Sequence, residues 1–447
     1  MLYFNRHGFR WLHILRNVVF PLSLLSGPLT FSAYGELRIT LDRAQFQPLP
    51  IAISIFHGDS FPDQGISGVI GNDLRLSGYF MTMATPRDAT PFDQTPHFEP
   101  WKIHNIQALV TGQIDTDPTG GVSVSFRLWD VTTGEQLAGE RYTTSQANWR
   151  RMGHMISDVI FQKLTGLSGF FNSRIAFVDE TESRRQRKKR LAIMDIDGAN
   201  IRYLTKGEKS VVTPRFSLNN PTELAYVTQQ LGSPPFIVRV NVDDHVASTL
   251  PVPGSTMVFS PTFYPNGSKL TFSLQKGGNA ELYTQDFSSQ ELIQMTSSNA
   301  INTSPSYSPD GRMMVFESDR GGSQQIYIMP SDRSTEPQRL SFGGGSYSQP
   351  VWSPRGDYIA FTRRQGGQFA IGIMKPDGSG LRILSEGFHN ERPSWAPNGQ
   401  FLVFFRDSGG EGGSQLRMVD IMGRVDVALP TPNSASDPAW SPLRSGS

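Results

Sequence analysis

The 447-residue chain carries 41 Lys and Arg against 40 Asp and Glu, a net charge of +1, and so has no global field that would draw it to nucleic acid or to an anionic membrane. It contains no cysteine, which excludes disulfides, thiolate zinc sites and cysteine nucleophiles. The length leaves room for two domains, and the 43 glycines and 31 prolines punctuate turns rather than form low-complexity runs.

At the N-terminus, Arg6, Arg10 and Arg16 precede an apolar run from Val18 to Leu25, and Ala33-Tyr34-Gly35 sets small residues at both positions that a signal peptidase reads. Pro21 interrupts the run, which is too short for the roughly 20 residues that span a bilayer. Residues 1–35 are therefore expected to be a signal peptide cleaved before Glu36, with an uncleaved anchor as the alternative. The exported chain is expected not to span a membrane.

From Glu36, Leu37 to Leu41 alternates as a half-buried strand, and Ile51, Ile53 and Ile55 alternate again. Ile66, Val69, Ile70 and Leu74 fall at helical spacing from Gly65 to Leu76, and Ser77-Gly78 ends that helix. Gln107 to Ile114 reads as a strand. It leads through a turn at Asp117 to Gly121 into a strand over Val122 to Val131, and Thr132-Thr133-Gly134 returns the chain through Gln136 to Thr144. A last helix, Asn148 to Leu164, lines up Trp149, Met152, Ile156, Val159, Ile160 and Lys163 on one face, a stripe that normally faces a core. Residues 36–166 thus form a small N-terminal mixed α/β domain, which Leu167 to Asn172 joins to a second region, 172–443.

That region repeats one phrase six times, a proline, an aromatic two residues later and then a turn. The first prolines are Pro214, Pro261, Pro305, Pro350, Pro393 and Pro438, spaced 47, 44, 45, 43 and 45 residues apart. A period of roughly 40 to 50 residues with four short strands per unit is the signature of a propeller blade. The aromatic, as in Pro350-Val351-Trp352, is read as the filler between blades. The sixth copy ends without strands after it, whereas Arg174 to Val178, Arg190 to Ile196 and Ile201 to Thr205 form a unit lacking its first segment. Each end completes the other, so a six-bladed β-propeller closed by a C-terminal strand is expected, with no open sheet edge.

Signals of catalysis are absent. The chain has no Gly-x-Ser-x-Gly elbow, no His-Glu-x-x-His motif and no phosphate loop. Its eight histidines never fall at ligand spacing; His154, inside the last helix, is read as a core or edge residue, and His57 and His104 lie near strand ends. Asp195-Ile196-Asp197-Gly198 lacks the later acceptor Glu of a calcium loop and is read as a hairpin turn. The run Arg184 to Arg190 is read as a solvated hairpin tip, with binding of an anionic envelope polymer as the alternative. The residues before the first prolines, Thr213, Ser260, Ser304, Gln349, Arg392 and Asp437, mark the channel mouth. Only one is a carboxylate, too few for a catalytic divalent cation, so no metal or cofactor is expected, and a polar mouth suits recognition of a protein loop.

In this order, the signal peptide, the α/β domain and the six blades resemble the TolB family of periplasmic propeller proteins. The specific segments are Gly35 to Thr40, Ile66 to Phe80 and Pro438-Ala439-Trp440-Ser441-Pro442. The resemblance implies a periplasmic scaffold without catalysis, a monomer, that links the outer-membrane lipoprotein Pal to inner-membrane TolA for envelope integrity and division. It implies that the mouth binds Pal, with Met257 and the pair Thr303-Ser304 joining the pre-proline residues, and that Glu36, Leu37, Arg38, Ile39, Thr40 and Leu41 open the TolA-binding segment, which runs on to Phe46. The chain departs from the family where members often carry an acidic residue in place of Ser304 and a histidine in place of Met257. The alternative reading is a propeller enzyme or a carbohydrate-binding protein acting through the central channel.

Overall fold

The structure, a computed structural model, describes residues 37–39, 46–62, 65–85, 90–118, 120–181, 188–252, 257–409 and 413–444. The expected signal peptide, Glu36, Thr40 and Leu41, and Arg184 to Arg187 of the basic run lie outside the described residues.

The first domain is built on a five-stranded sheet in the order β2-β1-β3-β4-β5, from β1 (Leu49–Ser54), β2 (Phe80–Thr85), β3 (Ala108–Thr116), β4 (Gly121–Asp130) and β5 (Gln136–Ser145). β1 runs parallel to both its neighbours, and the other pairs are antiparallel. Helix α1 (Gly65–Leu76) makes the crossover between the parallel strands β1 and β2, the connection such a pair requires. It packs on α3 (Trp149–Thr165) so closely that a Cβ at Gly153 would lie 2.7 Å from Val69. The short α2 (Glu99–Ile103) brings Trp101, with Phe98, against a cluster of Ala52, Leu109 and Trp129.

Two local expectations are corrected and a third is extended. Residues 37–39 form no strand; instead the Ile39 amide donates to the carbonyl of Leu164 at 2.8 Å, serving one of the carbonyls that the end of α3 leaves unpaired. On α3 the buried face is broader than the apolar stripe, since Gly153, His154, Ser157 and Phe161 are enclosed while Trp149, Val159 and Lys163 are only half-buried. The segment 167–172 does more than join two domains. Phe170 and Phe171 are fully buried, Phe170 lying 4.5 Å from the ring of Phe401 and 5.4 Å from that of Phe161.

Six four-stranded sheets follow. The first takes β6 (Arg174–Glu180), β7 (Lys189–Asp195) and β8 (Arg202–Tyr203), and its innermost strand is the C-terminal Ser434–Trp440, in the order Ser434–Trp440, β6, β7, β8. Ser434 pairs with Glu180 and Trp440 with Ile175, and Arg174 and Ser441 exchange two bonds of 2.9 Å. The ring closes as the repeat ends required. Its aromatics fill between blades as expected. Phe216 packs with Val178, Leu191 and Ile193 of the preceding blade, and Trp352 with Val315 and Ile326.

Candidate functional site: the channel and the domain interface

Each innermost strand breaks register at its proline. Proline lacks the N–H that a ladder needs, and the break is a β-bulge. The preceding residue takes up the distortion. All six pre-proline residues adopt a positive φ: Thr213 52°, Ser260 52°, Ser304 53°, Gln349 52°, Arg392 58° and Asp437 49°. A left-handed backbone is unfavourable for any residue with a Cβ, by about 1–2 kcal/mol, so the ring repeats one strained geometry six times.

Hydrogen bonds link the ring. The Thr213 amide donates to Asp437 Oδ1 at 3.2 Å, Arg392 Nε lies 3.0 Å from the same oxygen, and the Arg392 amide donates to Gln349 Oε1 at 2.9 Å. The Gln349 amide in turn donates to Glu317 Oε2 at 3.1 Å. Glu317 was not anticipated from the sequence. It is buried on the second strand of the fourth blade, opposite Thr303, where burial pushes its carboxyl pKa up against the pull of the Gln349 amide. The mouth therefore holds paired charges, where the pre-proline residues alone suggested a mostly neutral surface. Ser260 stands outside this chain of bonds, and Ser304 exchanges a hydroxyl bond of 3.0 Å with Thr303.

Past this ring the channel opens into a cavity of about 520 Å³. At the end away from the pre-proline ring, its rim is a collar of Leu218, Pro265, Pro309, Pro354, Pro397 and Pro442, equivalent positions of the six repeats. On the opposite face of the propeller, four large apolar residues lie exposed at or just ahead of successive innermost strands: Met257 (49% exposed), Ile301 (45%), Phe342 (66%) and Phe388 (64%). Of the sequence-derived mouth residues, Met257 belongs to this outer set and the pre-proline six to the inner ring.

A second cluster lies where the two domains meet. The turn after β7, the hairpin expected at Asp195 to Gly198, presents Asp195 and Asp197 to α3. His154 Nδ1 is 2.8 Å from Asp73 Oδ2 of α1, and its Nε2 is 3.7 Å from Asp195 Oδ2. Asp197 is ion-paired with Arg150. Asp73, His154 and Asp197 offer ligand atoms within 4.8 Å of one another, but Arg150 already neutralises Asp197 and Nδ1 is committed to Asp73. The arrangement suits a buried imidazolium better than a cation site. Nearby, Arg424 of the sixth blade donates to the Tyr79 hydroxyl at 2.6 Å, and Asn398 to the Ser168 carbonyl at 2.8 Å.

Of the segment expected to meet TolA, Ile39 is buried and held at the end of α3; Leu37 and Arg38 are described without regular structure. Among the described residues no helix is long and apolar enough to cross a membrane.

Comparison with known proteins matches both domains. The family pattern of the TolB amino-terminal domain covers residues 37–137, and that of the TolB beta propeller domain residues 161–444. The Tol-Pal system protein TolB of Gluconobacter oxydans (strain 621H) is 42% identical over 431 residues, 94% of this chain and 92% of that protein. The crystal structure of TolB from Acinetobacter baumannii matches with a TM-score of 0.80 at 29% identity, covering 89% of this chain and 97% of that one. Hydrazine synthase from Kuenenia stuttgartiensis, with a TM-score of 0.50 at 14% identity over 61% of this chain and 47% of that one, shares the fold alone.

Proposed function

The chain belongs to the TolB family, and from that premise we propose that it is a periplasmic, non-catalytic binding protein of the Tol-Pal system. The mouth of the propeller docks the lipoprotein Pal, and the segment from Glu36 to Phe46 engages TolA. The observation that carries the docking reading is the apolar set at the mouth face, Met257, Ile301, Phe342 and Phe388. Large exposed side chains brought to one face by four successive blades are what a protein partner buries. The inner ring supports it as well. Its charges are already paired with one another, as in Arg392 with Asp437, leaving a rigid polar centre inside an apolar rim.

Coupling between the two partners follows from linkage. If occupancy of the mouth changes how the segment after Glu36 is held, then binding of either partner alters the affinity for the other by the same factor.

Calorimetric titration of the chain from Glu36 with the periplasmic domain of Pal, beside Ser304→Trp and Gln349→Trp, tests this function. Binding by the parent that both variants lose supports docking at the mouth. A folded parent that does not bind Pal overturns it.

A further inference from the structure

We propose that the channel cavity is a binding site for a small organic carboxylate with an apolar body, and that Arg215 is its anchor. The site shares Ser260 and Ser304 with the pre-proline ring but is centred deeper in the channel than the exposed apolar set, and it does not depend on the docking reading.

The residue after each first proline forms the wall of this cavity. Five of the six are small or apolar, Thr262, Ser306, Val351, Ser394 and Ala439, and the sixth is Arg215. Two of the hydroxyls are engaged within the wall, Ser306 Oγ accepting the Trp352 amide at 2.9 Å and Ser394 Oγ the Trp440 amide at 3.0 Å. That leaves one long cation on a wall of otherwise small, uncharged side chains.

Arg215 is not used by the fold in the way the other channel charges are. Its Nη1 donates to the Pro214 carbonyl at 2.9 Å, and among the described residues no carboxylate comes within ion-pair distance of it. The acidic group that acts on it most, Asp437, is already held by Arg392 and by the Thr213 amide. A guanidinium has five N–H donors in a planar fork that matches a carboxylate. Enclosure lowers its pKa to about 10, with the charge of Arg392 adding to the effect, so it stays cationic at neutral pH.

The size and lining set the ligand class. A volume of about 520 Å³ lies within the range of small-molecule sites, which combine an apolar lining with a few placed polar groups. The rest of the lining is largely proline and aromatic, including Trp352, Trp395 and Trp440. A sugar or a phosphate ester would leave many polar atoms unsatisfied against such a surface. A monoanion with a hydrocarbon or aryl body would not.

The three tryptophans supply the readout. The full chain is titrated with 4-phenylbutyrate and with octanoate, following tryptophan fluorescence and thermal unfolding, with 4-phenylbutyramide as the uncharged control. The expected result is a saturable fluorescence change and a raised Tm with a carboxylate, the amide binding at least about tenfold more weakly. Arg215→Met should weaken carboxylate binding by about the same factor, and Arg215→Lys should retain part of it. If Arg215→Met fails to fold, Val351→Trp fills the cavity from another blade and should abolish the response in a folded protein. No response of the folded parent to either carboxylate at about 10 mM, or an equal response to the amide, overturns the proposal.

Discussion

His154 Nδ1 lies 2.8 Å from Asp73 Oδ2 with both side chains buried, so helices α1 and α3 of the first domain are joined by an ion pair at the surface where that domain meets the propeller. Asp195 and Asp197 face the same imidazole from the first blade, with Arg150 and Asp158 on its own helix. Asp73 Oδ1 and His154 Nε2 have no other hydrogen-bond partner. The pair is thus held by charge more than by a full set of hydrogen bonds.

Replacing His154 by Gln should cost about 3–5 kcal/mol, the usual price of stranding one member of a buried ion pair, and the cost should depend on pH. Burial alone would lower the pKa of the ring, but Asp73 and Asp195 more than reverse it and hold it well above 6.5. Because the folded value is the higher one, the stabilisation is fully present below the unfolded pKa near 6.5 and is lost as pH rises through the folded pKa. Denaturant unfolding of parent and variant from about pH 5.5 to 9 should show a gap that is widest in acid and narrows in base. A gap that stays constant would mean that folding does not shift the pKa of the ring, and one that widens in base would mean that the folded ring is neutral.

Gly78 should tolerate no side chain. It has a φ of +72°, and a Cβ there would lie 2.6 Å from Cγ2 of Val425, a buried residue of the sixth blade. Gly78→Ala combines a left-handed backbone with overpacking at the domain interface, and about 3 kcal/mol of stability should be lost. An unfolding midpoint equal to the parent's would show that the interface yields freely.

These interface contacts explain what the sequence could not disclose. The six repeats, the closing strand and the bounds of α1 follow from local periodicity and turn residues, which are written in consecutive positions. β2 escaped notice because Met81 leaves its side chain exposed on an edge strand and because its pairing is parallel, with β1 some 30 residues earlier. Glu317 and the surroundings of His154 depend on contacts across distant stretches of chain, and a single sequence does not encode these as a pattern. The positive φ before each proline runs against the usual preference of pre-proline residues for extended backbone, so no propensity argument would have found it.

Thr213 offers a test of that strain. It is a β-branched residue at φ 52°, and its buried Oγ1 has no hydrogen-bond partner. Thr213→Gly removes both penalties while keeping the amide that donates to Asp437. Against this stands the extra entropy of glycine in the unfolded chain, about 0.5–1 kcal/mol. A net gain of about 1 kcal/mol is expected, whereas Asp437→Ala should lose about 2–3 kcal/mol by leaving Arg392 without its carboxylate. If the glycine variant is the less stable protein by equilibrium unfolding, the left-handed ring is not a store of strain.

The apolar set at the mouth should separate docking from folding. Phe342 and Phe388 are mostly exposed and lie just ahead of the innermost strands of the fifth and sixth blades, so Phe342→Ser and Phe388→Ser should each change stability by no more than about 0.5 kcal/mol. If these rings are anchors that a lipoprotein partner buries, each substitution should weaken Pal binding by about 2 kcal/mol, some thirtyfold in Kd, with the loss carried mainly by faster dissociation. Surface plasmon resonance on the folded variants distinguishes the outcomes. Unchanged dissociation in both would move the docking surface away from this face, whatever the inner ring contributes.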